Sequence, residues 1–249
     1  MIFFIHGDVG YNIMEFIIKK YPNDIKIIFT KKINNKFKNK LKKKLPLIKY
    51  LAWSDKKEKK IIDLIKHLEP KLIFLLWWPK IISKRFIKSI NSNFINIHPS
   101  YLPHFKGKDP NFWSMISNGP FGVSIHYVNE KIDSGPIILR KKISGLDMTN
   151  DAEDLYKFSK KELILLFKKK YKILRNTKKK LKTFKNTPTT VNYRKDMIKK
   201  SKIDLKKRYT GEYLINLLRA KTFSPHKGVL FKKNKKTYQA RIKITEVND

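Results

Sequence analysis

Residues 71–76 read Lys-Leu-Ile-Phe-Leu-Leu, and past the lysine the run is apolar without a break, in a chain where lysine recurs every few positions. A strand with no polar face has to be covered on both sides, which is the situation of a strand inside a parallel sheet with helices on either face. A helical pattern leads into it: Ile61, Leu64, Ile65 and Leu68 recur at helix spacing across 55–68, and Pro70 stops the run. The chain opens in the same way. Ile2–Ile5 is an apolar strand, His6-Gly7-Asp8-Val9-Gly10 a glycine turn, 11–21 an amphipathic helix and 25–30 the next strand. Strand, turn, helix and strand in that order predict a Rossmann-like α/β sheet. Gly7 and Gly10 do not complete Gly-x-Gly-x-x-Gly, so a dinucleotide fingerprint is not predicted. The lysine-rich stretch 31–44 reads as a solvated helix or a loop.

Between 93 and 139 the lysine monotony gives way to dense punctuation and isolated polar groups. Residues 94–97 alternate apolar and polar, so Asn96 and His98 project to the same side of a strand. Pro99 ends that strand and leaves His98 at its carboxyl rim, where open α/β sheets hold ligands. Strands at 123–128 and 137–143 flank Asp133-Ser134-Gly135-Pro136, a turn that carries a carboxylate beside an apolar run. Taken singly, His98 reads as a satisfied structural histidine and Asn96 as a cap for the next loop. Taken together, amide, imidazole and carboxylate are what acyl transfer needs: an oxyanion donor, a group that handles a proton, and its orienter.

Asn96-x-His98-Pro99-Ser100, Leu102-Pro103, Gly107, Pro110, the Gly122-Val123-Ser124-Ile125-His126 strand and Asp133-Ser134-Gly135-Pro136-Ile137-Ile138 resemble the core of the folate-dependent formyltransferase family. That family includes methionyl-tRNA, glycinamide ribonucleotide and nucleotide-sugar formyltransferases. The stretch 107–113, Tyr193-Arg-Lys-Asp and 219–225 look most like the nucleotide-sugar enzymes. The resemblance implies a Rossmann-like formyltransferase fold with a mixed, mostly parallel sheet and a small C-terminal region ending in a β-hairpin. It implies catalytic roles for Asn96, His98 and Asp133. The loop after 71–76 would line the pterin pocket, with Trp77, Trp78, Pro79, Lys80 and Ile81 as the candidate wall, although a tryptophan pair is ordinarily packing. Lys106, Gly107, Lys108, Asn111, Phe112, Trp113 and Arg219 are the candidate substrate contacts, and His126 is structural or pocket-lining. The implied donor is 10-formyltetrahydrofolate. The implied acceptor is an aminodideoxy sugar on a nucleotide, dTDP above all, of the kind used for lipopolysaccharide O-antigen. A homodimer built on the hairpin is expected, and no metal.

A length of 249 residues allows one large domain with an appendage. The expected division is a catalytic domain at 1–175 and a C-terminal region at 176–249, because 175–190 is polar, lysine-rich and ends in Thr-Pro-Thr-Thr. A helix is predicted at 211–220, then strands at 229–232 and 237–244. No cysteine is present, which excludes disulfides and suits a cytoplasmic enzyme. The first residues lack the basic start and apolar length of a signal peptide, and 72–78 is too short to cross a bilayer. A net charge of +38 invites a polyanion reading. Lysine, isoleucine, asparagine and phenylalanine are all abundant, however, alanine occurs only at 52, 152, 220 and 240, and arginine is scarce beside lysine. That is the mark of A+T-rich codons, whereas a dedicated nucleic-acid reader favours arginine. Most of the charge is therefore assigned to coding bias, and a tRNA formyltransferase-like or other nucleic-acid-binding protein is the alternative.

Overall fold

The computed structural model describes residues 1–176 and 181–247. In chain order the elements are β1 (Ile2–Ile5), α1 (Gly7–Lys20), β2 (Ile27–Thr30), α2 (Asn35–Lys44), β3 (Lys49–Ala52), α3 (Glu58–Leu68), β4 (Leu72–Leu76), α4 (Lys84–Ser89), β5 (Asn93–His98) and β6 (Lys106–Gly107). They continue with α5 (Pro110–Ile116), β7 (Gly122–Tyr127), β8 (Ile137–Lys142), α6 (Ala152–Leu174), β9 (Val191–Asn192), α7 (Arg194–Lys200), β10 (Lys202–Ile203), α8 (Gly211–Lys221), β11 (Val229–Lys233) and β12 (Lys236–Ala240).

Seven strands form one sheet in the order β3-β2-β1-β4-β5-β7-β8. The first five are parallel, with Ile2 opposite Ile27 and Ile73, Ile27 opposite Lys49, and Leu72 opposite Asn93. Every residue of β1, β2 and β4 is buried, as unbroken apolar runs require. The strand order reverses between β1 and β4, which puts the carboxyl ends of those strands at the switch point of an open sheet. A Cβ on Gly10 would lie 2.9 Å from the Leu76 carbonyl oxygen, so this glycine lets α1 press onto β4. Helix α1 starts at Gly7 itself, with Asp8 in its first turn, and this start does not suit a phosphate.

Two compact units are interleaved along the chain. The first comprises Met1–His98, Ile125–Leu139 and Leu163–Asn186. Its aromatic core joins Phe4, Phe29, Trp53, Phe86 and Phe94, while Phe74 stacks on Phe3 at 5.4 Å and meets Phe167 edge-on at 5.6 Å. Truncating such a phenylalanine to alanine costs about 3–5 kcal/mol. The buried carboxylate of Asp24 accepts from Tyr171 Oη at 2.9 Å and from both arms of Arg175, which anchors the last turn of α6.

The second unit comprises Pro99–Ser124, Arg140–Glu162 and Thr187–Asp249. Phe112 and Met115 of α5 share a core with Leu217 and Ala220 of α8 and with Val229. Strand β11 lies between β10 and β12, antiparallel to β12 with Val229 opposite Ala240. Asn234 and Lys235 both have positive φ, 49° and 63°, the signature of a tight two-residue hairpin turn.

The departures from expectation have simple causes. Strand β3 has one buried residue in its four and so lacks an apolar run to announce it. Strand β12 ends at Ala240 rather than 244, because pairing with β11 runs out at Val229. The segment expected to hold the domain boundary is partly built into the first unit: Phe184 exchanges both backbone hydrogen bonds with Ile137, at 3.0 and 2.7 Å. Residues 177–180 of that segment lie outside the described residues. A cut near 175 thus separates stretches of sequence, whereas the compact units alternate along the chain.

Candidate active site

Strand β5 delivers Asn96 and His98 to one side, as its alternation predicts, with His98 buried and Asn96 half-buried. The parallel ladder places Asn96 opposite Leu75, one residue before the end of β4. The carboxylate comes from the turn between β7 and β8, where Asp133 sits in the left-handed region at φ 44°. Asp133 Oδ2 lies 3.5 Å from His98 Nδ1, and Oδ1 accepts from Asn96 Nδ2 at 3.4 Å. The three groups expected to meet do meet, all within the first unit.

A fourth group joins them. His126, on β7 and 1% exposed, has Nε2 at 3.2 Å from Asn96 Nδ2 and 3.6 Å from Asp133 Oδ1. Its Nδ1 lies 2.7 Å from the Tyr127 carbonyl oxygen, which only accepts, so Nδ1 carries the proton. In the neutral ring Nε2 is then an acceptor and takes one hydrogen of the Asn96 amide. The other hydrogen goes to Asp133, a partner that also fixes which end of the amide is nitrogen. Both amide hydrogens are therefore held in this state. Donation to a substrate oxyanion follows exchange of one of these bonds, and the longer one, to Asp133, is the weaker. The sequence signal for His126 was the same one that flagged His98: Ser124 and His126 stand two apart on a strand.

The loop 77–81 follows β4 at the switch point. Trp77 has φ 60° and its ring lies 3.4 Å from where a Gly7 Cβ would stand. Trp78 is part of the aromatic core, edge-on to Phe4 at 5.3 Å and to Trp53 at 6.0 Å, with a buried Nε1 that has no hydrogen-bond partner. The ordinary packing role thus applies to Trp78, and its orphaned donor is what a ligand carbonyl or ring nitrogen would satisfy. Pro79 is half-buried, Lys80 donates to Asp55, and Ile81 is 70% exposed at the loop's outer end. Trp53 Nε1 also donates to Asp55, at 2.7 Å, and the Lys80 and Trp53 bonds hold that carboxyl below its ordinary range.

The candidate substrate contacts all belong to the second unit. Lys106 is 1% exposed and its Nζ donates to the Thr187 carbonyl oxygen at 2.9 Å, a buried anchor for the segment and not a surface cation. Gly107, at φ 88°, is obligatory: a Cβ would fall 2.2 Å from the Asn192 carbonyl oxygen across the β6–β9 pair. Lys108 is exposed, and its backbone N–H donates to Asn192. Phe112 is core, while Asn111 Oδ1 and Trp113 Nε1 are buried polar atoms with no hydrogen-bond partner. Arg219 is buried, and its guanidinium is committed to the carbonyl oxygens of Asp147 and Asn150 and to Asn216 Oδ1. Its guanidinium thus braces the 147–150 loop.

A family model described as formyl transferase matches residues 20–168, and one described as an N-formyltransferase dimerization C-terminal domain matches 196–246. The formyltetrahydrofolate deformylase of Shigella flexneri is 32% identical over 120 residues, 47% of this chain and 42% of the deformylase. The methionyl-tRNA formyltransferase of Borreliella afzelii is 35% identical over 109 residues, 42% of this chain and 34% of that enzyme. The matches thus span less than half the length of either curated relative. Two solved structures share the fold over nearly the whole chain. A sugar N-formyltransferase from a Shewanella species has a TM-score of 0.78 at 18% identity, covering 99% of this chain and 98% of its own. The N-formyltransferase of Helicobacter canadensis, in complex with folinic acid and dTDP-3-aminofucose, has a TM-score of 0.70 at 20% identity over 94% and 84%.

Proposed function

The chain belongs to the formyl transferase family, and from that premise we propose that it is a folate-dependent sugar N-formyltransferase. It would move the formyl group of 10-formyltetrahydrofolate to the amine of an aminodideoxy sugar carried on a nucleoside diphosphate. One observation carries the reading: amide, two imidazoles and a carboxylate converge on one point at a sheet's carboxyl rim, inside the segment that matches the family. The sugar acceptor is supported by fold likeness to sugar enzymes along nearly the whole chain, and pairing of two chains by the dimerization model over 196–246.

The chemistry follows from the groups present. The amine nitrogen bonds to the formyl carbon, whose oxygen becomes an oxyanion; the bond from that carbon to N10 then breaks, and the proton lost by the amine ends on N10. Asn96 donates to the oxyanion, His98 relays the proton, and Asp133 orients His98 and balances its charge. Trp77, Trp78, Pro79, Lys80 and Ile81 form the wall for the pterin, and Lys108, Asn111 and Trp113 present polar groups to the acceptor. A dTDP carrier, a role in O-antigen synthesis, a cytoplasmic location and a homodimer through the β11–β12 hairpin complete the proposal. The domain division 1–175 and 176–249 belongs to it as well, each part holding one of the two matched models.

A second reading is favoured by the curated relatives: the same donor with methionyl-tRNA or water as acceptor. Release of tetrahydrofolate from 10-formyltetrahydrofolate, followed with a panel of nucleotide-linked aminodideoxy sugars, with methionyl-tRNA and with no acceptor, separates the three. Release that depends on a nucleotide sugar is expected. Release with tRNA alone, or equally fast without any acceptor, would replace the proposal by one of the others.

A further inference from the structure

The Asp133 carboxylate is aimed by a turn in a backbone region that side chains seldom adopt. Asp133 has φ 44°, and Gly135 carries no Cβ because one would lie 1.9 Å from the Tyr127 carbonyl oxygen. Ser134 Oγ donates to the Ile132 carbonyl oxygen at 2.8 Å, a bond inside the turn. A bond from outside comes from Asn186. Its Nδ2 donates to the Asp133 carbonyl oxygen at 2.9 Å and to that of Gly135 at 2.8 Å, one hydrogen to each side of Ser134. The amide orientation is unambiguous, since both partners only accept. Its oxygen is buried without a partner, a cost of about 1–3 kcal/mol that marks the donor end as the one in use. Two residues upstream, the paired backbones of Phe184 and Ile137 bring Asn186 to the turn in fixed register.

We propose that Asn186, from a stretch whose composition reads as a linker, is a positioning residue for the reaction, clamping the turn that sets Asp133 against His98, Asn96 and His126. The proposal rests on the formyl-transfer reading of that site. Without the clamp the left-handed residue relaxes toward ordinary φ, and the carboxylate swings away from contacts that are already 3.4 to 3.6 Å long.

The test compares Asn186→Ala and the isosteric Asn186→Asp with wild type, and uses the exposed neighbour Lys185→Ala as control. Deuterium exchange of the 131–136 backbone is measured on the ligand-free protein, and turnover is measured with the donor and an accepted nucleotide sugar. Faster exchange in the turn is expected for both Asn186 variants, with kcat down about 10- to 100-fold because misplacement of a catalytic group by about 1 Å costs that much. KM stays within about threefold, since ground-state binding is untouched. Asn186→Asp falls at least as far as Asn186→Ala, because a carboxylate facing two carbonyl oxygens repels them. Lys185→Ala matches wild type. Unchanged exchange in the turn, or a kcat within about twofold of wild type in both variants, overturns the proposal. The exchange measurement needs no substrate. A wild type that forms no formamide with any amine would overturn the reaction while exchange still decides the clamp.

Discussion

At the scale of single residues the chemistry depends on how Asp133 divides its two oxygens. Oδ2 faces His98, while Oδ1 and His126 Nε2 each accept one hydrogen of the Asn96 amide. Asp133→Asn keeps the shape but turns an acceptor into a donor facing Asn96 or His98, and His98→Asn removes the proton relay. We expect each of these, and Asn96→Ala, to lower kcat by about 100- to 1,000-fold, the usual consequence of losing an oxyanion donor or acid–base partner. His126→Phe should cost less, about tenfold, because it frees the Asn96 amide to rotate without removing a reacting group. Rapid-quench measurement of tetrahydrofolate release, with circular dichroism to show folding, checks all four. Near-normal formylation by His98→Asn would remove it from the role assigned. Asn96 and His98 were legible because strand alternation and a terminating proline act over a few residues. Their partner across 30-odd positions was legible as chemistry, but its distance was not. His126 was visible on its strand, yet the bond at its Nε2 joins it to Asn96, a neighbour that only folding supplies.

Among the elements, the start of α5 shows a local rule overridden. Asp-Pro reads as a cap and first residue, and Pro110 does begin the helix, but Asp109 stands at φ 57° and its side chain makes no cap bond. Oδ1 instead accepts from Arg194, and Oδ2 is buried without a hydrogen-bond partner. Burial pushes its carboxyl above the ordinary range, against Arg194, Lys108, Lys221 and His226, which pull it down. A carboxyl whose folded pKa is raised binds its proton more tightly folded than unfolded, so ionisation subtracts stability as pH rises through that range and none is lost well below it. Asp109→Asn should therefore raise the melting temperature at pH 8, and the gain should shrink toward pH 4. The exposed arginine partner offers little to lose, since such pairs are worth about 0–1 kcal/mol. Calorimetric scans at the two values decide it, and an advantage that grows on acidification would contradict the assignment. Strand β3 and the two-residue pair β6–β9 were not legible for a related reason: a strand of two to four residues shows too little periodicity to outweigh its neighbours.

For the molecule as a whole, a charge of +38 and an arrangement of two interleaved units are the large facts. If the charge is chiefly coding bias, it should bind polyanions without serving the reaction. Retention on heparin is expected to fall steeply between about 50 and 500 mM NaCl, in proportion to the counterions released. Over the same range kcat for a nucleotide sugar should change by less than about threefold, because the reacting groups are buried or half-buried and partly buried charges are screened less. A kcat that collapses with heparin affinity would restore the nucleic-acid reading.

What the sequence determined by itself was whatever short-range physics decides. Unbroken apolar runs demanded a sheet covered on both faces, alternation put Asn96 and His98 on one side, and Asp-Ser-Gly-Pro made a turn bearing a carboxylate. Tertiary structure alone decided which side chains those groups would find. It placed His126 behind Asn96, withdrew Lys106 and Arg219 from the surface to brace loops, and drew Asn186 out of an apparent linker onto the Asp133 turn. The division is physical: periodicity and backbone sterics act within a few residues, whereas a hydrogen bond between residues 53 apart exists only once the sheet has brought them together.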